Sequence, residues 1–250
     1  MEFASIPFTG GDAACHFVGL SKPLSKQILI GFSLPTPRYC VVNDASKASR
    51  DAGLAEMGFP MIVKASSEGE RIGLDDRSIV RSCDELAEAV ERIVSTYAQP
   101  ALVEEFMPGR EFTIGVIDGA QPQVLPILEI LLNGESTYSY AAKVGDAAEE
   151  VCPAVLSAEE AAEMGRLAVC AGRAIGCRDY WRVDFRADAR GAPLILEVNT
   201  LPGLQPGYSD VTKKAGPAGM PCGAIVRGMM DSTRQRIIRL SKSGERAGSS

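Results

Sequence analysis

Five side chains that could bind a metal ion and a phosphate lie in two short stretches between residues 182 and 199. In an extended strand successive side chains point to opposite faces, so Arg182, Asp184 and Arg186 share one face and the apolar residues between them share the other. Glu197 and Asn199 continue the alternation in the second stretch. The two stretches therefore predict a hairpin with one polar and one apolar face.

The apolar face of this hairpin is expected to carry Leu194, Leu196 and Val198 in its second strand. A turn that contains Gly191 joins the two strands. Apolar side chains on one face would pack against a core and hold the polar face rigid.

The polar face has the chemistry of a magnesium site. Mg²⁺ prefers oxygen ligands and is usually shared between one or two carboxylates and substrate phosphates, and Asp184, Glu197 and Asn199 supply such oxygens. The permanently charged guanidinium of Arg182 could neutralise charge that develops on a phosphoryl group or a tetrahedral oxyanion. The alternative is an exposed hairpin whose charges serve solubility.

A lysine beside a glycine-containing loop predicts a phosphate contact. Lys64 lies near the end of an apolar stretch, before a loop that contains Gly69 and Gly73. Glycines let backbone amides approach a phosphate, and the lysine adds a positive charge. The spacing differs from that of the P-loop and of the dinucleotide-binding Gly-x-Gly-x-x-Gly motif. The alternative is an ordinary strand-to-turn connection with a surface lysine.

Acidic residues flank a Pro-Gly turn in a third segment. Glu104 and Glu105 end one predicted strand, and Glu111 begins the next. Carboxylates at such a turn could accept hydrogen bonds from an adenine amino group and from ribose hydroxyls. Taken singly, each glutamate is more simply a solvated surface charge.

In this order the segments resemble the ATP-grasp enzymes and, among them, the D-alanine:D-alanine ligases. The resemblance extends from Ile6 to Met220 and rests on the order of seven motifs, since no single one is exclusive. It implies an α+β fold of the ATP-grasp type, in which ATP is sandwiched between the antiparallel sheets of two α+β subdomains.

The resemblance implies an ATP site at defined positions. Lys22 and Lys64 match the two lysines that hold the ATP phosphates, and Lys143 matches a third on a mobile loop that closes over the nucleotide. The other implied nucleotide contacts are Glu104, Glu105, the backbone around Phe106 and Leu196 for adenine, and Glu111 for ribose.

The resemblance also implies two Mg²⁺ ions, or Mn²⁺ in their place, bound by Asp184, Glu197 and Asn199. Arg182 matches the arginine that stabilises the reaction intermediate. Ser209 matches the serine that receives the substrate carboxylate, although the loop before it is one residue longer. Together with Lys143, these two residues are the implied catalytic groups.

Three positions depart from the family pattern. Glu70 and Arg71 stand where paired serines are expected, and Val144 stands where a tyrosine is expected. Ligases of this kind also begin with a domain of about a hundred residues that binds the first amino acid, and the sequence starts after it. These joint changes indicate altered substrate handling, so ATP and metal binding are better supported than D-alanine specificity.

Helix and strand patterns predict several further elements. Capping boxes at Ser82 and Ser157 begin two amphipathic helices, and a third helix spans residues 21–32. Further expectations are strands at 112–118 and 123–130, a mobile loop at 133–150 and a last helix at 224–240.

The chain is expected to divide into four segments. They are a helical hinge that remains from the junction to the missing domain (1–34), a small ATP-grasp subdomain (35–110), a large subdomain with the metal site (111–240) and a flexible tail (241–250).

Composition agrees with a soluble cytoplasmic enzyme. The 250 residues carry a net charge of -6, which argues against a nucleic-acid partner. No stretch has the length and hydropathy of a membrane span. Seven cysteines without a Cys-x-x-Cys pair and a single histidine, His16, predict buried reduced thiols rather than a zinc site.

The implied function is an ATP-dependent, ADP-forming ligase that joins a carboxylate to an amine through an acyl phosphate, with amino acids or short peptides as substrates. One alternative is a non-catalytic ATP-binding module, such as a truncated paralogue. Another is a D-alanine ligase whose first domain is supplied by a second chain or was trimmed. The expected protein partners are therefore a second copy of the chain or a separate N-terminal domain.

Overall fold

Two antiparallel sheets that pack against helices make up the fold. The computed structural model describes residues 6–48, 51–67, 75–119, 121–131, 149–213 and 222–247, together with Gly216 and Gly219. The strands are β1 Tyr39–Val42, β2 Met61–Ala65, β3 Ile79–Val80, β4 Ala101–Glu105, β5 Glu111–Ile117, β6 Gln123–Val124, β7 Leu128–Leu131, β8 Glu149–Val151, β9 Tyr180–Ala187 and β10 Pro193–Asn199. The helices are α1 Ala13–Leu20, α2 Lys22–Gly31, α3 Ala45–Ala48, α4 Ala52–Met57, α5 Cys83–Tyr97, α6 Ala158–Ile175, α7 Asp210–Lys213 and α8 Cys222–Ala247.

The first sheet has the strand order β1-β4-β2-β3. Val63 and Val103 are register partners on its inner strands, and both are buried in the core that includes Leu86, Val90 and Ile93 of α5. Side chains alternate along a strand, so the intervening residues of β2 and β4 occupy the opposite face. That face includes Lys64 of β2 and Glu104 of β4.

The second sheet has the order β10-β9-β5-β7-β8, and β6 pairs with β5. Trp181, Val183 and Phe185 of β9 are fully buried in the core beneath α6, which confirms the predicted apolar face of this strand. The indole Nε1 of Trp181 donates a hydrogen bond to the Ala168 carbonyl of α6 at 3.0 Å. Arg182 and its polar neighbours are thereby held on the opposite face.

A β-bulge changes the predicted face assignment in β10. Ile195 pairs with Phe185, but the next register pair is Glu197 with Asp184, so Leu196 is the extra residue. Ile195 is buried in the core with Val198, whereas Leu194 and Leu196 are only half-buried. The prediction that Leu194 and Leu196 share the core face was therefore wrong, because strict alternation does not continue through a bulge.

Several predicted bounds also differ from the structure. The predicted strand 123–130 is two short strands, β6 and β7. Strand β8, residues 149–151, begins inside the predicted mobile loop, which was expected to extend to residue 150. The last helix extends to Ala247, beyond its predicted end at Leu240 and into the predicted tail. The capping box at Ser157 is present, with Ser157 Oγ accepting from Glu160 N and the Glu160 carboxylate accepting from Ser157 N.

The thiols are more varied than predicted. Cys15 and Cys177 are buried, three other described thiols are half-buried, and Cys83 is exposed at the start of α5. Among the six cysteines whose side chains the structure describes, the prediction of buried thiols therefore holds at two positions. Among the described helices, none combines the length and the hydropathy that a membrane span requires.

Gly172 of α6 provides a test of how tightly this helix packs behind the site. A Cβ added at Gly172 would lie 2.1 Å from Cε2 of Trp181, so Gly172→Ala should force the indole or the helix to move. We expect the free energy of unfolding, measured by urea denaturation, to fall by about 1–3 kcal/mol. Gly223→Ala, in α8 with nothing within 4 Å of the added Cβ, is the matched control. Equal stability of the two variants would contradict this packing.

Candidate functional site

A buried cluster of three charges lies at the centre of the site. Glu104 of β4 is 1% exposed, and its two carboxylate oxygens contact two different lysines. Lys26 Nζ of α2 lies 2.5 Å from Glu104 Oε1, and Lys64 Nζ of β2 contacts Glu104 Oε2. Two lysines and one carboxylate leave a net charge of about +1 in this cluster.

The pKa values follow from burial and from these partners. Burial by itself would raise the pKa of Glu104, but Lys26 and Lys64 outweigh it and hold that pKa at about 2. Burial lowers the pKa of Lys26, while Glu104 and, from the second sheet, Glu197 act in the opposite direction. The charge of Glu197 therefore acts on Lys26 although the two residues belong to different sheets.

Thr36 connects the lysine cluster to the hairpin. Its Oγ1 accepts a hydrogen bond from Lys26 Nζ at 2.7 Å and donates one to the Ile195 carbonyl at 2.8 Å. The Ile195 N–H in turn donates to the Pro35 carbonyl at 2.9 Å. The segment between α2 and β1 is therefore hydrogen-bonded to both the N–H and the carbonyl of Ile195 in β10.

The first turn of α2 lies against the end of β2. The Lys22 backbone N–H donates to the Ser66 carbonyl at 3.0 Å, which brings the two predicted phosphate-binding lysines, Lys22 and Lys64, to the same edge of the first sheet. The Ser66 hydroxyl is buried and has no hydrogen-bond partner in the described ranges. A buried hydroxyl without a partner beside two lysines suits a phosphate oxygen.

Arg182 is enclosed by carboxylates on the polar face of the second sheet. Its Nε and NH2 donate to the two carboxylate oxygens of Asp184 at 2.9 and 3.0 Å, and its NH1 lies 3.1 Å from Asp210 Oδ2. Although burial by itself would lower the pKa of Arg182, Asp184, Asp210 and Glu197 together raise it. The guanidinium is therefore fixed in place and permanently charged.

The predicted metal ligands occupy adjacent positions on β9 and β10. Glu197 is the register partner of Asp184, and Asn199 is the register partner of Arg182. The Asn199 Oδ1 accepts from the Leu201 N–H at 3.1 Å, which fixes the amide at the start of the following loop. On the other side of Asp184, the buried Thr113 Oγ1 of β5 has no partner among the described residues.

These donors fit a hard divalent cation that is shared with phosphate. Within the described part of the chain no group of three or more His, Cys, Asp or Glu side chains has the arrangement of a metal site. The donor set here is instead two carboxylates and one amide, which leaves coordination positions for phosphate and water, as Mg²⁺ requires. In the present arrangement both oxygens of Asp184 bind Arg182, so a cation would compete with that guanidinium for them.

The predicted adenine and ribose residues lie along the turn between the two sheets. Glu105 Oε2 accepts from Arg38 Nε at 2.8 Å, and the Phe106 N–H donates to the Pro60 carbonyl. Glu111 is 4% exposed, and its Oε2 lies 3.5 Å from Arg186 NH1. The Arg186 guanidinium also stacks on the Phe106 ring at 5.0 Å, so it links the predicted adenine and ribose contacts.

The remaining predicted residues fall in different surroundings. Leu196 is half-buried at the bulge beside Glu197. Ser209 lines a cavity with Arg182 and Glu197, and its Oγ accepts from the Gln205 N–H at 3.0 Å. Lys143, like the departures at Glu70, Arg71 and Val144, lies outside the described residues.

The sequence did not assign a role to Lys26, Asp210 or Arg186. Lys26 lies four residues after Lys22 in the same helix, so the shared helical face was a usable signal. Arg186 was placed on the polar face but given no partner. Asp210 had no signal beyond its position next to Ser209, because its pairing with Arg182 depends on how the loop after β10 folds back.

Comparison with known proteins gives a consistent result. A family model described as "D-ala D-ala ligase C-terminus" matches residues 28–231. A D-alanine-D-alanine ligase of Pelotomaculum thermopropionicum is 32% identical over 225 residues, which cover 86% of this chain and 69% of that protein. An uncharacterized protein of Sinorhizobium fredii, y4sG, is 32% identical over 246 residues, or 95% of this chain and 69% of that protein.

Solved structures give the same result for the fold. The crystal structure of D-alanine-D-alanine ligase from Bacillus anthracis complexed with ATP has a TM-score of 0.77 and 26% identity, with 97% of this chain and 74% of that chain covered. The structure of the D-alanine-D-alanine ligase from Coxiella burnetii has a TM-score of 0.76 and 21% identity, and the match covers 98% of this chain and 67% of that chain. At this identity the likeness is one of fold alone.

The buried cluster makes stability depend on pH. The folded-state pKa of Glu104, about 2, lies below its ordinary value of 4.5. Ionised Glu104 therefore contributes stability that is fully present above about pH 4.5 and is lost as pH falls towards 2. We expect urea unfolding to show a wild-type advantage over Glu104→Gln near neutral pH that shrinks as the solution is acidified.

Glu105→Gln is the matched control, because it removes the neighbouring carboxylate, which forms a solvent-accessible pair with Arg38. Exposed pairs of this kind are worth about 1 kcal/mol or less. A difference between wild type and Glu104→Gln that stays constant from neutral to acidic pH would contradict the charged buried cluster.

Proposed function

The chain belongs to the D-ala D-ala ligase C-terminus family, and from this premise we propose that it is an ATP-dependent, ADP-forming ligase that joins a carboxylate to an amine. ATP-grasp enzymes of this family are ATP-dependent ligases, and the chain shares their fold over nearly its whole length. Amino acids or short peptides are the proposed substrates.

One observation carries the proposal. The cationic cluster of Lys26, Glu104 and Lys64 is linked to the strand of the acidic hairpin that carries Glu197, since Thr36 accepts a hydrogen bond from Lys26 Nζ and donates one to the Ile195 carbonyl of β10. A nucleoside triphosphate with a divalent cation needs both kinds of charge at close quarters. Two charged surfaces that faced away from each other would not be connected by these hydrogen bonds.

In the proposed complex, Lys22 and Lys64 bind the ATP phosphates, with Lys143 as a third lysine. Glu104, Glu105, the Phe106 backbone and Leu196 surround the adenine, and Glu111 contacts the ribose. The buried hydroxyl of Ser66 supports the phosphate assignment. The position of Leu196 supports its assignment to adenine. It is the unpaired residue of the bulge, next to Glu197, so its side chain is not part of the core beneath α6.

Asp184, Glu197 and Asn199 are the proposed ligands of two Mg²⁺ ions, for which Mn²⁺ could substitute. When bound, such ions neutralise charge on the phosphates and polarise the transferred phosphoryl group. Arg182 is held beside the ligand set by Asp184 and Asp210, and it is the proposed group for a developing oxyanion.

The proposed reaction has two steps. An oxygen of the substrate carboxylate forms a bond to the γ-phosphorus as the bond to the bridging oxygen of ADP breaks, which gives an acyl phosphate and ADP. The amine nitrogen then bonds to the acyl carbon, the carbon–oxygen bond to phosphate breaks with its electron pair, and the two protons that the ammonium nitrogen loses leave with phosphate. Arg182 stabilises the tetrahedral oxyanion between these bond changes.

The metal ligands provide the test. Asp184→Asn and Glu197→Gln should lower ADP release by about 100-fold or more, since metal-ion stabilisation of the transferred group is worth several kcal/mol. ADP release should be screened with a panel of amino acids and dipeptides. Calorimetry should also show that ATP binding by either variant has lost its Mg²⁺ dependence, while circular dichroism remains that of the wild type.

Glu91→Gln, an exposed carboxylate of α5, is the matched control and should behave as wild type. Near-normal turnover or an unchanged Mg²⁺ dependence in either ligand variant would refute the metal assignment. Tight ATP binding by the wild type with no ADP release across the panel would instead favour the non-catalytic ATP-binding module.

A further inference from the structure

Two thiols meet in the core beneath α6. Cys15 belongs to α1 and Cys177 follows α6, and the two lie 162 positions apart in the sequence. Their sulfur atoms are 3.8 Å apart, and both side chains are nearly enclosed, with Cys15 2% and Cys177 6% exposed. The proposed ligase reaction uses neither thiol, so the pair needs an explanation of its own.

The distance between the sulfurs decides what the pair can do. The simpler reading is packing alone, since a free cysteine behaves as a small apolar residue. A disulfide bond is about 2.05 Å long, so bond formation would require the sulfurs to approach by about 1.8 Å. Each sulfur lies at the end of a rotatable Cα–Cβ bond, so the approach can be shared between two small side-chain movements.

The backbone on both sides of the pair is already held in place. Asp12, the N-cap of α1, forms an ion pair with Arg178, the residue after Cys177. The Asp12 carboxylate also accepts a hydrogen bond from the Cys15 N–H at 2.9 Å. On the other side, the Cys177 N–H donates to the Gly172 carbonyl of α6 at 2.8 Å. These contacts keep the two sulfurs next to each other.

Glycines on both sides let the chain pass close to Cys15. A Cβ added at Gly11 would lie 2.6 Å from Cys15 Sγ, so a larger residue there would displace the thiol. Gly176, the C-cap of α6, has a φ of 89°, and a Cβ added there would lie 3.9 Å from Cys15 Cβ. The backbone that leads into Cys177 therefore lies directly against the side chain of Cys15.

The two thiols differ in how readily they ionise. Cys15 is the third residue of α1, and the N-terminus of a helix stabilises a thiolate. The hydrogen bond with Cys177 lowers the pKa of Cys15 more than burial raises it, whereas the same hydrogen bond and burial both raise the pKa of Cys177. Cys15 is therefore the attacking thiol of the pair, and Cys177 is the resolving thiol.

We propose that Cys15 and Cys177 form a site of reversible oxidation, at which hydrogen peroxide produces a disulfide that clamps α1 to the end of α6. The Cys15 thiolate bonds to one peroxide oxygen as the O–O bond breaks and hydroxide leaves, which gives a sulfenic acid. The Cys177 sulfur then bonds to the Cys15 sulfur as the S–O bond breaks and a second hydroxide leaves. With the two thiol protons, one peroxide is reduced to two waters and two thiols are oxidised to one disulfide.

Hydrogen peroxide is the probe for the crosslink. The folded wild-type protein should be treated with one equivalent and digested without reductant. Mass spectrometry should then find the peptides of Cys15 and Cys177 joined, with a mass about 2 Da below the sum of the reduced peptides. Dithiothreitol should restore both thiols. Absence of this crosslink, or preferential pairing of either thiol with another cysteine, would overturn the proposal.

The clamp should also stabilise the fold. A disulfide between residues 162 positions apart restricts the unfolded chain. The melting temperature of the oxidised protein should therefore exceed that of the reduced protein by at least ~3 °C. A crosslink that forms without this increase would overturn the clamp.

Single substitutions assign both effects to the pair. Cys15→Ser removes the attacking sulfur and should abolish the crosslink and the rise in melting temperature. Cys83→Ser, which removes an exposed thiol at the start of α5, is the matched control and should keep both. A rise that persists in Cys15→Ser would overturn the clamp, as would its loss in Cys83→Ser. The crosslink on wild type needs no variant, so it decides the matter even if Cys15→Ser fails to fold.

Neither measurement involves a nucleotide or turnover, so the oxidation site and the proposed ligase can fail independently. A crosslink in a protein that releases no ADP would keep the oxidation site and reject the ligase. ADP release by a protein that forms no crosslink would do the reverse.

Discussion

The burial of Glu104 between two lysines is the interaction on which the cleft depends. A lone carboxylate at 1% exposure would not remain ionised without compensation, and Lys26 and Lys64 compensate it by contacting one oxygen each. One lysine comes from helix α2 and the other from strand β2, so the requirement also fixes how that helix lies against the first sheet. Removal of one partner from a buried ion pair is strongly destabilising, because it leaves an uncompensated buried charge.

The second sheet also holds charged side chains together, but on the polar face of two paired strands. Its polar face gathers Arg182, Asp184, Glu197 and Asn199 on two paired strands, over a core of large side chains that includes Trp181. The bulge lets Leu196 and Glu197 both oppose Asp184, so an apolar surface and a carboxylate occur side by side. A regular strand would have placed one of the two in the core.

The sequence predicted what depends on local alternation and on motif order. The core face of β9, the helix that carries Lys22 and the cap at Ser157 were all predictable from short-range patterns. The bulge in β10 was not, because it results from pairing with β9 rather than from residues 193–199 themselves. Lys26 and Asp210 were missed for a similar reason, since each acquires its meaning from a partner far away in the chain.

The seam at Pro35 and Thr36 also limits how the two sheets can move. Ile195 is held there through both its N–H and its carbonyl, and the same threonine accepts a bond from Lys26. Sliding of one sheet along the other would break both hydrogen bonds to Ile195 at once, whereas rotation about the seam would keep them. Any movement of the two sheets that keeps these bonds is therefore a rotation about an axis through residues 35–36, and displacements would grow with distance from that axis.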